Sequence, residues 1–385
     1  MSGACEIVRL RPEHREAVAE LQTLLWSPDP VLNLRYLDWK YVQNPWAEEP
    51  RIYLAIRSGT VVGMRGFHES RWEVGSPARV VAVPLADDLA IRAEERNSGL
   101  VTEIMRTALS DLANSGSDFV FSLSASLLTL LGSLSLGFRS AGKYDPVVRR
   151  EPSALRRYRF REQLARNPRV RRWARSQLLF SSQLLFKAPL VFSAAERQPF
   201  RRLDFARLAG GGLTIAREPR PAAMAELISA LGHDGRLRHV RSPEYLAWRF
   251  ANPLREYRFL FSGRDRLDGY LVLGSRIGGM FPTPRVSIVD LEARDARIRR
   301  ALLLAALEGH FADLFAWSAT LAPSDRLLLG ELGFEPADPK LAARGGPCAL
   351  VRSLAARRPE GWVLESLPLL DPATWDLRML YSIGD

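Results

Sequence analysis

The sequence contains few of the residues that form disulfide bonds or bind metal ions. It contains two cysteines, Cys5 and Cys348, and five histidines with no His-x-x-x-His spacing. Two cysteines are too few for a disulfide framework or a Cys-based zinc site, so we expect no metal and a reducing compartment. The N-terminus lacks the basic start and apolar stretch of a secretory signal. The sequence therefore predicts a cytoplasmic protein.

Lysine is scarce as well, with four residues against fifty arginines. Such a bias is typical of a GC-rich genome, so the formal net charge of +11 is by itself weak support for nucleic-acid binding. The position of the charge is more informative, because eleven arginines and only two glutamates lie between Arg149 and Arg175. The rest of the chain is nearly neutral, and a length of 385 residues allows two or three domains with their own cores.

An internal repeat divides the chain. Residues 36–45, YLDWKYVQNP, return as residues 245–253, YLAWRFANP, one residue shorter. A Leu-Gly-Phe triplet follows each copy, at residues 136–138 and 332–334. Duplication of one domain explains both coincidences, and such a repeat sets the fold prediction before any local pattern does.

Each copy has the same predicted order of elements. The first reads as strand 6–10, helix 14–26, a helix that ends at Asn44-Pro45, strands 52–56, 61–67 and 80–91, helix 99–113, strand 119–123 and helix 127–135. Strands that are paired by hairpins and then crossed by helices indicate a mixed α/β sheet. Residues 119–138 carry no charge over a length that suits a membrane span, but their serines and glycines favour a buried strand and helix.

One loop has the composition of a phosphate-binding turn. It lies between the predicted strand 80–91 and the predicted helix 99–113, and it consists of Arg96, Asn97, Ser98, Gly99, Leu100 and Val101. Successive backbone N–H groups at a helix N-terminus favour a phosphate, and Arg96 adds charge-assisted hydrogen bonds. Gly99 lets the backbone approach the anion closely.

With these elements in this order, the first half resembles the GNAT (GCN5-related N-acetyltransferase) superfamily, and the whole chain looks like two tandem GNAT-like domains. The family's loop pattern is Arg/Gln-x-x-Gly-x-Gly/Ala, which holds the pyrophosphate of acyl-CoA. Arg96 and Gly99 match this pattern, while Val101 replaces the small residue usually found last. The resemblance implies acetyl-CoA, or another acyl-CoA, as the co-substrate.

The same resemblance assigns a role to the end of the preceding strand. The backbone there pairs with the pantetheine arm of the co-substrate, at the point where the strand splays from its neighbour. The corresponding residues are Leu89, Ala90 and Ile91.

The catalytic base is the first open position. The family often places a glutamate where this chain has Leu85, which cannot accept a proton. Asp87 lies two residues further on, hence on the same face of the strand, and is our candidate base, whereas Asp88 is expected to point the opposite way. His68 and Glu69 on the preceding strand are the substitutes.

The acid that protonates the leaving thiolate is the second open position. The family's usual tyrosine, four residues before the Gly-Phe pair, is replaced by Ser133, which is a weak acid for this role. Either Tyr144 reaches the site, or water serves, or the site is degenerate.

The second half departs further from the family. After strand 286–291 the sequence has no glycine, and Glu292 and Asp295 lie near the start of the next helix. Carboxylates there are expected to cap the helix themselves and to repel a phosphate. We therefore expect the C-terminal copy to be non-catalytic and to shape the acceptor site.

A basic, partly apolar linker separates the two copies. The predicted organisation is a GNAT-like domain at 1–150, the linker at 151–204, a degenerate GNAT-like domain at 205–356 and a tail at 357–385. Residues 149–192 combine the arginine cluster with an apolar stretch. An inter-domain helix that packs on both domains explains this segment, and an anionic membrane surface is the alternative partner. No nucleic-acid-reading motif accompanies the arginines.

Three classes of function are consistent with these features. The leading one is an acyl-CoA-dependent N-acyltransferase whose amine acceptor lies between the halves. The second is an aminoacyl-tRNA-dependent transferase that resembles the Fem family, which also uses tandem GNAT folds. The third is a non-catalytic GNAT-fold scaffold at a membrane surface. The phosphate-type loop at Arg96 and Gly99 favours the first class.

Overall fold

The computed structural model describes residues 5–125, 127–151, 199–204, 212–277, 285–337, 348–354 and 362–383. Most of the predicted linker, residues 152–198, lies outside the described residues, so the membrane-surface prediction falls there. The described chain forms two seven-stranded sheets, one three-stranded sheet and one two-stranded sheet. The predicted mixed α/β class with two similar halves is confirmed.

The first half contains the following elements in chain order: β1 (Cys5–Arg9), α1 (Arg15–Leu21), α2 (Pro30–Leu37), β2 (Arg51–Arg57), β3 (Thr60–His68), β4 (Arg71–Val74), β5 (Arg79–Ala82), β6 (Leu85–Ile91), α3 (Leu100–Asn114), β7 (Phe119–Ala125), α4 (Leu127–Ser135), β8 (Arg139–Lys143) and β9 (Pro146–Arg150). Helices α1 and α2 cover one face of β2 and β3, and α3 covers the other.

The second half has a similar but not identical order: α5 (Arg201–Asp204), β10 (Leu213–Ala216), α6 (Pro221–Leu231), β11 (Arg238–His239), α7 (Pro243–Phe250), β12 (Arg255–Ser262), β13 (Gly269–Arg276), β14 (Val286–Ala293), α8 (Ala296–Leu307), β15 (Asp313–Trp317), α9 (Pro323–Glu331), β16 (Glu335–Pro336), β17 (Cys348–Ser353), β18 (Val363–Leu364) and β19 (Leu367–Pro368). The spacing of apolar residues predicted most of the elements of the first half to within a few residues at each end.

The two large sheets exchange one strand each. The first sheet has the order β1-β2-β3-β6-β7-β17-β8, and the second has the order β10-β12-β13-β14-β15-β9-β16. Thus β17, from late in the chain, lies between β7 and β8, and β9, from the end of the first half, lies between β15 and β16. The predicted boundaries 1–150 and 205–356 assign these strands by chain order, whereas the sheets exchange them and join the halves into one hydrogen-bonded structure.

The two Leu-Gly-Phe triplets share a local structural cause. After α4, the N–H of Phe138 donates to the Ser133 carbonyl and the N–H of Gly137 to that of Leu134. After α9, Phe334 and Gly333 make the same two bonds with Leu329 and Gly330. Gly137 and Gly333 have φ of +83° and +81°, so each Leu-Gly-Phe triplet is a Schellman cap that ends a helix.

The extra residue in the first aromatic repeat is absorbed by a π-helical turn over Asp38–Val42, which continues α2. Its hydrogen bond joins the N–H of Gln43 to the carbonyl of Asp38 at 2.8 Å. The second copy lacks this turn and ends as the regular helix α7. A single inserted residue is therefore accommodated without moving the Asn-Pro stop that follows.

The predicted strand 80–91 is wrong in one respect, because it is two strands. Pro84 cannot donate a ladder hydrogen bond, and the chain leaves one sheet there and enters another. Strand β5 pairs with β4 in the three-stranded sheet, while β6 pairs with β3 in the large one.

The uncharged segment 119–138 forms strand β7 and helix α4, as predicted. Across the part of the chain that the structure describes, no helix combines the length and apolarity needed to span a bilayer.

Candidate functional site

Strands β6 and β7 are parallel neighbours that part after a single residue pair. Leu85 pairs with Phe121, and the Phe121 N–H donates to the Pro84 carbonyl at 3.1 Å. Further along β6, no pairing with β7 occurs within the described residues. The predicted pantetheine residues Leu89, Ala90 and Ile91 follow this point. The edge of β6 is thus available to an extended ligand.

The predicted phosphate loop forms the N-terminal end of α3. Asn97 and Gly99 have φ of +66° and +82°, and α3 begins at Leu100. The Gly99 carbonyl accepts from the N–H groups of Thr102 and Glu103. The N–H groups of the first turn have no partner inside the helix. A Cβ at Gly99 would meet nothing within 4 Å, so the space in front of this turn is open.

The loop is anchored on one side and exposed on the other. The Ser98 hydroxyl donates to the Glu95 carbonyl at 2.7 Å, and the Glu95 carboxylate pairs with Arg57 of β2 at 3.1 Å. Arg96 is exposed. Val101 packs partly buried against the apolar cluster beneath α3. The valine that departs from the family pattern therefore belongs to the core side of the helix.

Asp87 and Asp88 share one buried lysine. Lys40 Nζ lies 2.8 Å from Asp87 Oδ2 and 2.8 Å from Asp88 Oδ1, and its side chain is fully buried. The sequence prediction that Asp88 points away from Asp87 is wrong. A β-bulge in β6 places Asp88, at φ +52°, and Leu89 opposite one residue of β3, so that two consecutive carboxylates reach the same cation.

A hydroxyl completes this cluster. The Tyr41 hydroxyl donates to Asp88 Oδ2 at 2.8 Å, and it lies against Gly66 of β3, where any Cβ would overlap it. Burial alone would lower the pKa of Lys40, but the charges of Asp87 and Asp88 outweigh it and raise that pKa well above its usual value. Burial raises the pKa of Asp88, and Lys40 partly offsets this.

The two substitute bases differ in their environment, and His68 is the one that feels the charges of Lys40 and Asp87. His68 pairs with Leu85 across β3 and β6 and is 4% exposed, and neither ring nitrogen has a hydrogen-bond partner among the described residues. Burial and then Lys40 lower its pKa well below the usual value, so the ring is neutral. Glu69 pairs with Arg51 at 3.1 Å, and burial raises its pKa.

The two candidate acids, Ser133 and Tyr144, differ in burial and in hydrogen bonding. Ser133 is half-buried in α4, where its carbonyl takes part in the helix cap. Tyr144 is buried, donates its hydroxyl to the Leu123 carbonyl at 2.7 Å, and stacks on Trp317 with ring centroids 3.8 Å apart. Because the Tyr144 hydroxyl already donates within the core, proton donation from this tyrosine is disfavoured.

The equivalent place in the second half is filled by protein groups. The side chain of Asp295 caps α8 by accepting from the Ile298 N–H at 2.8 Å, as predicted. Glu292 does not cap the helix. It pairs instead with Arg241 at 2.7 Å and Arg378 at 2.9 Å, because it lies on the strand and faces the C-terminal segment.

Arg378 also closes the gap beside β14. This strand pairs with β15 only at Val286 and Ser287. Beyond that point, Arg378 donates to the Leu291 carbonyl at 3.1 Å and to Asp290 at 2.9 Å. The remaining cleft has a volume of about 110 Å³. Arg378, which belongs to the C-terminal range 362–383, thus bonds to the backbone of β14 at the place where the corresponding edge of β6 has no such contact.

Sequence reasoning missed the residues that act through distant contacts. These are Lys40, Arg241 and Arg378. Lys40 carries one available signal, since it follows the repeated tryptophan and matches Arg249 in the second copy.

Comparison with known proteins finds a similarity in fold but none in sequence. No family model matches it, and no curated protein is similar in sequence. Among solved structures, it is similar to a GCN5-related N-acetyltransferase from Anabaena variabilis ATCC 29413, with a TM-score of 0.55 and 12% identity over 91% of this chain and 73% of that one.

Two further structures give the same result. A conserved protein of unknown function from Enterococcus faecalis V583, described as a probable N-acyltransferase, has a TM-score of 0.53 and 12% identity over 91% of this chain and 73% of that one. A GCN5-related N-acetyltransferase from Kribbella flavida has a TM-score of 0.51 and 14% identity, over 91% and 72%. The chain therefore has the GNAT fold, and its chemistry must be argued from its own residues.

Proposed function

We propose that the protein is an acyl-CoA-dependent N-acyltransferase in which the first half binds the co-substrate. One observation carries this proposal. Each half has two parallel strands that diverge before a helix, and among the described residues only the first half leaves both the strand edge and the helix N-terminus without protein side chains bonded to them. There the described residues place no strand beside β6 beyond Leu85 on its β7 side, and α3 begins at Leu100, after Gly99, without a side-chain cap. In the second half, Asp295 caps the helix and Arg378 occupies the edge.

The residues of the first half fit an acyl-CoA. Residues Arg96–Val101 would hold the pyrophosphate through the backbone N–H groups of the α3 N-terminus and the Arg96 guanidinium. The backbone of Leu89–Ile91 would pair with the pantetheine amides as an added strand. The bound thioester supplies the activated acyl group, and the protein positions it.

The proposed reaction needs one base and one proton donor. A neutral amine attacks the thioester carbonyl carbon, the new C–N bond forms, and the C–S bond breaks as the thiolate leaves. Asp87 takes the amine proton, directly or through water. Asp87 is the exposed member of the pair, with 9% of its side chain accessible against 0% for Asp88. The Ser133 hydroxyl is too weak an acid, so we infer that water returns a proton to the thiolate.

Calorimetric titration with acetyl-CoA and with CoA tests the proposal. Gly99→Glu places a carboxylate against the pyrophosphate and should abolish micromolar binding, and Arg96→Glu should weaken it strongly. Gly99→Asn tolerates positive φ and adds a side chain without charge, so it should weaken binding less than Gly99→Glu does. Arg300→Glu is the matched control, because Arg300 lies on α8 of the second half and is half exposed.

Either of two results would overturn the proposal. Failure of the parent to bind acetyl-CoA or CoA would move the weight to a tRNA-dependent transferase or a scaffold. Equal loss of binding from Gly99→Glu and Arg300→Glu would contradict a single working half.

A further inference from the structure

Arg65, in the middle of β3, is a buried cation to which no described residue is hydrogen-bonded or ion-paired. The residue is 8% exposed, and its Nε has no hydrogen-bond acceptor. Across the described ranges, no hydrogen bond or ion pair holds its guanidinium. Its one recorded ring contact there is with Phe67, whose ring centroid lies 5.8 Å from Arg65 Cζ. A buried guanidinium has five N–H donors, and leaving them unmet costs free energy.

The nearby carboxylates do not meet these donors. Asp87 and Asp88 both lie against Lys40 Nζ, at 2.8 Å each. Burial lowers the pKa of Arg65, and the charges of Asp87 and Asp88 only partly oppose this. Arg65 is therefore within the field of the pair but is not bonded to it.

The position of Arg65 relates it to the candidate acyl-CoA site. Met64 pairs with Ala90 and Gly66 with Asp87, which leaves Arg65 alone opposite the bulge. Gly63, two residues earlier on the same strand face, lies against Leu100 and Ile104 of α3. Arg65 therefore lies on the α3 face of the sheet, about 7 Å from the level of the α3 N-terminus towards the strand divergence.

We propose that Arg65 binds a carboxylate at the end of the acyl group, so that the preferred donor is the CoA thioester of a dicarboxylic acid. This inference rests on the proposed function. With the pyrophosphate at the α3 N-terminus and the pantetheine arm along Leu89–Ile91, the acyl group reaches β6 at its bulge. The planar guanidinium matches a carboxylate by two parallel hydrogen bonds, which a lysine cannot reproduce.

A pair of thioesters of equal length tests the inference. Succinyl-CoA and butyryl-CoA differ by the terminal carboxylate, and both are titrated calorimetrically into the parent, Arg65→Met, Arg65→Lys and Arg106→Met. The parent should bind succinyl-CoA at least about tenfold more tightly than butyryl-CoA. Arg65→Met should bring the ratio close to one, and Arg65→Lys should give an intermediate value. Arg106 is exposed on α3, so Arg106→Met should keep the parent ratio.

The ratio separates the inference from a structural role of Arg65, because damage to the fold weakens both thioesters alike. Equal affinity for the two thioesters in the parent would overturn the inference and leave the proposed function standing. Failure to bind these thioesters and acetyl-CoA would overturn both. If free succinate binds the parent but not Arg65→Met while the thioesters bind equally, the carboxylate belongs to the acceptor, and the acyl assignment is wrong.

Discussion

Trp39 and Trp248, the equivalent tryptophans of the two repeats, stack on each other and exchange hydrogen bonds. Their ring centroids are 4.9 Å apart, and each indole N–H donates to the other residue's backbone carbonyl at 2.6 Å. In a twofold interface the contact of one residue with its equivalent is returned in the same form. The two halves therefore meet at equivalent residues of the repeat, in a pseudo-symmetric contact inside one chain.

Replacing either tryptophan should destabilise the protein measurably. Trp39→Phe keeps a ring for stacking but removes the donor to the buried carbonyl of Trp248, and Trp248→Phe does the reverse. We expect each change to lower the free energy of unfolding by about 1–3 kcal/mol, measured by urea denaturation.

The control for these variants is Trp362→Phe, since Trp362 is partly buried and its indole makes no hydrogen bond that the described residues record. It should cost less than about 1 kcal/mol. Single variants that cost no more than this control would show that the reciprocal bonds do not hold the halves together.

Much of this arrangement was readable from the sequence. The aromatic repeat and the Leu-Gly-Phe triplets predicted two halves of one fold, and the helix stops at Asn-Pro and at Gly137 and Gly333 follow from local backbone chemistry. These features depend on neighbours along the chain, which the sequence displays directly.

The exchanged strands and the bulge were not readable, for a different reason. An apolar strand such as β17 fits either sheet equally well, because alternation predicts a strand but does not identify its partner. At Asp88 the alternation rule itself fails, since a bulge lets adjacent side chains approach one cation. Lys40 is separated from Asp88 by 48 positions, so no local pattern could connect them.

Gly66 should be intolerant of any side chain. A Cβ there would overlap the Tyr41 hydroxyl, which bonds to Asp88. Gly66→Ala should displace Tyr41 from the Lys40 cluster and lower the free energy of unfolding by about 2–4 kcal/mol. Gly330→Ala is the matched control, because Gly330 lies in α9 with open space around its Cα, and it should be neutral or stabilising. Equal unfolding midpoints for the two variants would contradict the close contact.

Stability should fall on mild acidification because of buried neutral histidines. Burial lowers the pKa of His239 from its usual 6.5 to about 3, so below pH 6.5 the unfolded chain binds a proton that the folded chain does not. The contribution is complete above pH 6.5 and is lost as the pH falls towards 3. His239 alone should account for about 2 kcal/mol between pH 7 and pH 5.

Urea unfolding at pH 7 and pH 5 measures this loss. His239→Gln should reduce it by about 2 kcal/mol relative to the parent. His310→Gln is the control, since His310 is half exposed. A loss that is the same in all three proteins would mean that His239 is protonated in the folded state.

Asp87 should be required for turnover more than for binding of the co-substrate. Asp87→Asn keeps an oxygen that can accept from Lys40 but cannot take a proton from the amine. We expect kcat for acyl transfer from acetyl-CoA to small primary amines, followed by release of the CoA thiol, to fall by about 100-fold or more. The Kd for acetyl-CoA should stay within about twofold, because the proposed binding contacts are the backbone of Leu89–Ile91 and the loop Arg96–Val101, and neither involves the Asp87 side chain. Asp88→Asn changes the same ion-pair cluster but replaces a fully buried carboxylate, so it should lower the unfolding midpoint with a much smaller effect on kcat.

If Asp88→Asn and Asp87→Asn reduce kcat equally, the charge of the pair is what matters and the base lies elsewhere. A loss confined to Asp87→Asn, with an unchanged Kd, assigns the proton transfer to this carboxylate.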